Sequence, residues 1–139
     1  MSTSRSAFSL IEVLIVCTII GIMAGLAAPR VRATIDSFAV QRASREIVAA
    51  FVAARLAAQH GTGAEVRLDT LTLTVLAGGK ALAVHDIAKA HGVRMKSSTA
   101  LVRYAATGLG VGLSNGTITL SRGGSADTIV VARLGRIRH

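Results

Sequence analysis

The sequence is short of the residues that usually stabilise a small domain or give it reactive chemistry. Its 139 residues include one cysteine, one proline and no tryptophan, and aromatic residues make up 3% of the chain. Because Cys17 is alone, an intrachain disulfide is excluded. The scarcity of aromatic residues predicts an aliphatic core, and the length allows one domain at most.

Acidic residues are also scarce. The chain has 16 Lys and Arg against seven Asp and Glu, which gives a formal net charge of +9. From Ile87 to the C terminus, Asp127 is the only acid among eight Lys and Arg, so this part alone has a net charge of +7. Such a polycation favours a polyanion or an acidic membrane surface as its partner.

Patterns typical of enzymes and metal sites are missing. None of the four histidines has metal-ligand spacing, and the acids show no paired arrangement for acid–base chemistry. The glycines between Gly108 and Gly112 lack the spacing of a dinucleotide-binding loop, so they predict a turn or bulge. We therefore expect no enzyme activity, no cofactor and no metal.

A long apolar segment lies near the N terminus. Residues 8–28, FSLIEVLIVCTIIGIMAGLAA, carry one charge, that of Glu12, and are long enough to cross a bilayer. A cleaved secretory signal and an ordinary single-span anchor are the two simple interpretations. Glu12 and Pro29 disfavour the secretory signal. The flanking arginines alone would predict a cytoplasmic C-terminal part by the positive-inside rule.

The segment AFSLIEV, which starts at Ala7, gives a more specific signal. It resembles the prepilin motif of type IV pilins and type II secretion pseudopilins, in which a short basic leader is removed before an aromatic residue and glutamate is the fifth mature residue. The resemblance implies cleavage by a prepilin peptidase between Ala7 and Phe8 and N-methylation of Phe8. Ala7 departs from the glycine that the family usually has before the cut. Pro29 lies where many such pilins have a helix-kinking proline.

The same resemblance implies a role for Glu12 and Pro29 in assembly. In a filament, the Glu12 carboxylate would meet the new amine of Phe8 on a neighbouring subunit, and the two buried charges would neutralise each other. The implied location is the bacterial inner membrane, in a single pass with the C-terminal domain outside the cytoplasm. From there the chain would enter a pilus or pseudopilus.

The rest of the sequence predicts a long helix followed by a β-rich domain. Apolar residues recur at helical spacing until QHGTG ends the helix near His60, with Gly61 as the C-cap; they are Val31, Ile35, Phe38, Ile47, Val48, Phe51, Ala54 and Ala58. The segments that favour strands are AEVRL, LTLTVL, ALAV, VRMK, ALVRYA, GTITLS and DTIVVARL, the last two forming a hairpin around RGGSA.

The predicted fold class is therefore α+β. A pilin-like lollipop would have a long N-terminal helix, with a membrane half and an amphipathic half, packed on an antiparallel β-sheet. The predicted divisions are a leader at 1–7, a transmembrane or filament-core helix at 8–29, an amphipathic helix at 30–60, and a β-rich domain with a basic C-terminal tail at 61–139.

Three further segments narrow the resemblance. FVAARLAAQHG, YAATGLGVGLSNGTITL and IVVARLGRIR are similar to the GspH/FimT-like branch of the pilins, which includes the H pseudopilin of type II secretion and the minor pilin FimT. The final GRIR looks like the Gly-Arg-x-Arg tail with which FimT-type minor pilins bind DNA. This implies Gly135, Arg136 and Arg138 as DNA-binding residues, with Arg122 and Arg133 as candidates for additional phosphate contacts.

Strand geometry is compatible with that assignment. In an extended strand, Arg136 and Arg138 would lie on one face about 6.6 Å apart, a spacing suited to successive phosphates, while Ile137 would face inward. With Tyr104 as the only tyrosine, base stacking would contribute little, so binding would be blind to sequence. A tail that is merely solvated, or that contacts anionic lipid, is the alternative.

These observations favour a minor pilin that enters a type IV pilus and binds DNA non-specifically for uptake in natural transformation. The alternative is an H-type pseudopilin, a structural subunit of a type II secretion system. The expected partners are other pilin or pseudopilin subunits, the prepilin peptidase, DNA, and the inner membrane before assembly.

Overall fold

A computed structural model describes residues 9–61, 63–112 and 115–138. The chain divides into two compact units, and the boundary falls between Thr34 and Ile35. Helix α1, Leu10–Gln59, contributes residues to both units. The predicted cleavage site at Ala7 and Phe8 lies outside the described residues.

In the first unit, α1 is apolar and its side chains are exposed. An 18-residue window has a mean hydropathy of 2.5 and contains no buried residue. By length and composition this helix can cross a membrane, a test that a signal sequence also passes. Glu12 lies in the first turn, and Pro29 lies inside the helix. Proline has no N–H, so α1 lacks one backbone hydrogen bond at Pro29.

In the second unit, one face of α1 packs on the β-strands. The buried residues recur every three or four positions, as an amphipathic helix requires: Val40, Ala43, Ser44, Ile47, Ala50, Phe51, Ala54 and Ala58. The several alanines bring the helix backbone close to its neighbours. The apolar residues predicted before this face are not buried: Val31, Ile35 and Phe38 are each more than half exposed, at 56%, 52% and 56%.

The described residues form nine strands in two antiparallel sheets. The strands are β1 Ala64–Leu68, β2 Leu73–Ala77, β3 Lys80–His85, β4 Arg94–Ser97, β5 Leu101–Tyr104, β6 Gly110–Val111, β7 Gly116–Arg122, β8 Ser125–Val131 and β9 Ile137–Arg138. Sheet A has the order β3-β2-β1-β5-β6, and sheet B has the order β4-β7-β8-β9. The predicted α+β class is confirmed, although the structure has two sheets where the sequence predicts one.

A short helix lies at the first crossing of the chain between the two sheets. Helix α2, Ile87–His91, lies in the polar stretch between β3 and β4 and leads the chain from sheet A to sheet B. Asp86 caps it by accepting a hydrogen bond from the Lys89 N–H at 3.2 Å, and Gly92 ends it in the left-handed conformation. Ile87 is fully buried and anchors the helix in the core.

The strands of both sheets contribute to one aliphatic core with α1. Buried residues alternate along β1, β2, β5, β7 and β8, and the largest fully buried ones are Val66, Leu73, Val75, Val102, Ile118, Leu120, Ile129 and Val131. The predicted hairpin is confirmed: β7 pairs with β8 around a turn at Gly123 and Gly124.

The last described residues form a strand, which agrees with the extended geometry expected for the tail and differs from the solvated alternative. Residues 137 and 138 form β9, the edge strand of sheet B, with Ile137 opposite Val131 and Arg138 opposite Val130. The tail therefore belongs to the folded domain, because its backbone completes the sheet.

Candidate nucleic-acid interface

The turn that precedes β9 is fixed by backbone hydrogen bonds. The Gly135 N–H donates to the Ala132 carbonyl at 2.7 Å, and the Ala132 N–H donates to the Arg136 carbonyl at 2.8 Å. The Gly110 N–H of β6 donates to the Leu134 carbonyl at 3.1 Å. Since β6 is an edge of sheet A, this last bond joins the tail of sheet B to the other sheet.

Tyr104, the last residue of β5, packs against the same turn and hydrogen-bonds to it. Its side chain is 2% exposed, and its hydroxyl donates to the Gly135 carbonyl at 3.1 Å. Burial raises the pKa of the Tyr104 phenol to about 12, an effect that the positive charge of Arg55 partly opposes. The buried phenol is therefore a neutral donor at physiological pH.

A side chain at position 135 would strain the turn. The φ of Gly135 is +77°, in the region that favours glycine, and a Cβ atom would overlap Cε1 of the Tyr104 ring. The glycine of the GRIR sequence is thus favoured by the turn and by the ring beneath it.

The predicted arginines fall into two groups. Arg136 and Arg138 are exposed while Ile137 between them is half-buried, which is the alternation expected of a strand. Arg133 is also exposed, in the turn before them. The structure thus brings three of the predicted arginines together along the tail.

Arg122 belongs to a different part of the domain. Its Nε donates to Oδ1 of Asp36 on α1 at 2.9 Å, and Nη1 donates to the His91 carbonyl at 2.6 Å. These bonds tie the β7–β8 hairpin to α1 and α2. The guanidinium is therefore engaged within the domain, and nothing in its position links it to the tail.

Arg55 is a candidate that the sequence analysis missed. It lies on the exposed surface of α1, and it lines the same cleft as Arg136. The cleft has a volume of about 240 Å³ and is lined by Val48, Phe51, Val52, Arg55, Tyr104, Gly135, Arg136 and Ile137. No signal in the sequence could have paired a helix residue with one 81 positions later.

A second cluster of polar side chains joins Glu46 on α1 to β3, the edge strand of sheet A opposite β6, and to α2. His85 Nδ1–H donates to Oε1 of Glu46 at 2.8 Å, and His91 Nε2–H donates to Oε2 at 2.6 Å. The hydrogen bond from His91 is the main cause that lowers the pKa of Glu46; burial opposes it, and His85 lowers the pKa further. Among the described residues, no group of three or more such side chains could hold a metal ion.

The N-terminal candidates belong to the first unit or precede the described residues. Glu12 and Pro29 are on α1 in the first unit, and Ala7 and Phe8 precede the described residues. Their assignment to assembly and processing stays a prediction.

Comparison with known proteins supports two parts of this picture. Residues 2–28 match the model of the prokaryotic N-terminal methylation motif. The fold is similar to two crystal structures of the type IV minor pilin FimU from Pseudomonas aeruginosa strain PAO1. One, in space group P21, has a TM-score of 0.59 and 21% sequence identity, and the match covers 71% of this chain and 86% of FimU. The other, in space group P65, has a TM-score of 0.56 and 20% identity over 70% and 90% of the two chains.

No protein of curated function matches the sequence significantly. At this level of identity the similarity to FimU concerns the fold. The chain thus combines a type IV pilin-like fold with an N-terminal methylation motif, as the resemblance of its sequence implies.

The Gly135→Ala variant tests how the tail is held. We expect it to lower the free energy of unfolding by about 2–4 kcal/mol, because Ala adds backbone strain and overpacks the Tyr104 ring. Urea unfolding followed by circular dichroism measures the change. Gly124→Ala is the control: its Cβ would meet open space, so the effect should stay within about 0.5 kcal/mol. Equal effects of the two substitutions would contradict the packing described.

The Glu46→Gln variant tests the histidine cluster. Because the pKa of Glu46 is lowered from its ordinary value of 4.5, its contribution to stability is present above that pH and is lost as the pH falls through the lower, folded-state value. The melting temperature of the parent should therefore fall more steeply than that of Glu46→Gln on acidification below about pH 5. Glu65→Gln, which removes a carboxylate from exposed ion pairs with Arg67 and Arg103, should follow the parent. Parallel curves for the parent and Glu46→Gln would contradict the coupling.

Proposed function

We propose that this chain is a minor pilin of the GspH/FimT-like branch, which enters a type IV pilus and binds DNA without sequence preference during uptake. The observation that carries the proposal is the exposed pair of Arg136, which directly precedes β9, and Arg138 on β9, in a domain of pilin-like fold that follows an N-terminal methylation motif.

The motif supports membrane anchoring and assembly. It covers the leader and the apolar half of α1, which is long enough to cross a membrane. In the proposed course, a prepilin peptidase cuts between Ala7 and Phe8, the new N terminus is methylated, and the chain stays in the inner membrane with its domain outside the cytoplasm. Glu12 then pairs with the amine of Phe8 on a neighbouring subunit, and Pro29 adapts the helix to the filament.

The tail supports contact with DNA. Arginine offers a planar set of donors that matches phosphate oxygens, and the two exposed arginines flank the half-buried Ile137 on a backbone that is hydrogen-bonded to both sheets. Arg133 in the adjoining turn adds a third exposed cation. Contacts of this kind neutralise phosphates and read no base, so affinity depends on salt and little on sequence.

Processing is tested on the protein purified from its host. Intact mass and N-terminal sequencing should show a chain that begins at methylated Phe8. Glu12→Ala should leave cleavage intact and impair methylation or assembly, because the carboxylate acts on the neighbouring amine. A mature chain that starts near Pro29 would indicate a secretory signal, and one that retains Met1 would indicate a plain anchor.

DNA binding is tested on the full chain in an uncharged detergent. The parent should bind unrelated duplexes with similar affinity, and Arg136→Ala with Arg138→Ala should flatten the log–log salt dependence by about two units, if each arginine neutralises one phosphate.

The matched control removes the same charge from the opposite edge of sheet B. Arg94 and Lys96 on β4 are also two residues apart, are both exposed, and flank the buried Met95. Their double replacement by alanine should change the slope much less. Equal effects of the two double replacements would show that DNA binding depends on the net charge of the domain and not on the tail. A parent that binds no DNA at low salt would favour the pseudopilin alternative, in which the chain is a structural subunit.

A further inference from the structure

The cleft between α1 and the tail holds two arginines whose charges the domain does not neutralise. Arg55 comes from the helix and Arg136 from the turn before β9. Among the described residues, neither guanidinium forms a salt bridge or a side-chain hydrogen bond. No acid lines the cleft, so its charge is uncompensated.

The backbones that carry these arginines are held in place. Arg55 is itself exposed, but its neighbours Phe51 and Ala54 on α1 are fully buried and fix this part of the helix in the core. The Arg136 carbonyl accepts a hydrogen bond from the Ala132 N–H at 2.8 Å, and the preceding Gly135 is seated on Tyr104. Both side chains therefore project from fixed backbone, so a ligand need not order the backbone before it binds.

The walls of the cleft indicate what kind of anion it accepts. Val52 and Ile137 contribute apolar surface to the cleft that the two arginines also line, and Tyr104 forms another part of its wall. A small hydrated anion would gain nothing from apolar walls, whereas a phosphodiester carries its charge next to a sugar ring. The two positive charges in the cleft repel each other, and an anion bound between them reduces this electrostatic repulsion.

We propose that Arg55 and Arg136 together hold one phosphodiester of the DNA backbone in this cleft, with the adjoining deoxyribose against Val52 and Ile137. The inference rests on the proposed DNA binding and adds to it a residue from the helix. It extends the contact from the edge of sheet B across the turn to α1. Arg136 then faces the cleft phosphate, while Arg138 contacts the backbone further along the strand.

The test is a double-mutant cycle on DNA affinity, measured on the full chain in an uncharged detergent at fixed salt. Arg55→Ala should weaken binding of a duplex about tenfold, the loss expected for one charge-assisted contact. In the Arg136→Ala background the same substitution should weaken binding by a clearly smaller factor, since the shared phosphate has already lost one partner. Arg42→Ala is the control, because Arg42 is an exposed arginine of the same helix that does not line the cleft.

The outcomes separate this inference from the proposed function. If the tail variants weaken binding and Arg55→Ala behaves like Arg42→Ala, the cleft is not a phosphate site and the proposed function stands. If Arg55→Ala weakens binding equally in both backgrounds, the two arginines do not share a phosphate and the inference is wrong. If the parent binds no DNA, both fail. Arg55→Gln, which keeps most of the aliphatic stem, should reproduce the alanine result with an unchanged melting temperature.

A vesicle arm addresses the other source of a phosphodiester. Vesicles of phosphatidylglycerol in phosphatidylcholine present the same group on an anionic lipid headgroup. Vesicles of phosphatidylcholine alone, which the apolar half of α1 would enter equally, are the reference. An Arg55→Ala variant that loses the preference for phosphatidylglycerol and keeps full DNA affinity would overturn the assignment to DNA.

Discussion

The contact between the Tyr104 ring and Gly135 is the constraint on which the candidate interface depends. The ring fills the space that a side chain at position 135 would need, and the hydroxyl bonds the carbonyl of the same residue. A glycine in the left-handed region lets the chain turn over the ring and enter β9. The arginines that follow are thereby presented on an ordered strand, which reduces the entropy that binding must overcome.

Two other polar contacts complete the arrangement around α1. Arg122 ties the hairpin of sheet B to Asp36, and Glu46 ties His85 and His91 to the middle of the helix. The small aliphatic core is thus supplemented by hydrogen bonds that join elements distant in sequence. These groups are partly buried, which makes their bonds stronger than those of fully exposed ion pairs.

The elements with local signals could be predicted from the sequence, and the contacts between distant residues could not. AEVRL matches β1 residue for residue, and the hairpin at RGGSA lies where glycines and alternating residues place it. The second sheet was missed because the chain crosses between the sheets three times and local patterns do not show which strands pair. Helix α2 was missed because it is only one turn long, although Asp86 and Gly92 are ordinary cap residues for it. The extended form of the tail could be expected from the alternation of Arg136, Ile137 and Arg138, but its attachment to Tyr104, 31 residues before Gly135, leaves no local signal. No local sequence pattern marks Arg55 as a binding residue, because only the packing of α1 brings it beside the turn that contains Gly135.

The most direct test of this account is a spectrophotometric titration of Tyr104. The chain has no other tyrosine and no tryptophan, so ultraviolet absorbance of the phenolate reports this residue alone. The account predicts a midpoint at about pH 12 in the folded protein and a return toward the ordinary value of 10.0 when the protein is unfolded. Because the folded pKa is the higher one, stability should also decline as the pH rises from 10.0 to about 12. A midpoint near 10 in the folded protein would show that the phenol is solvated, and the tail would then not be seated on it.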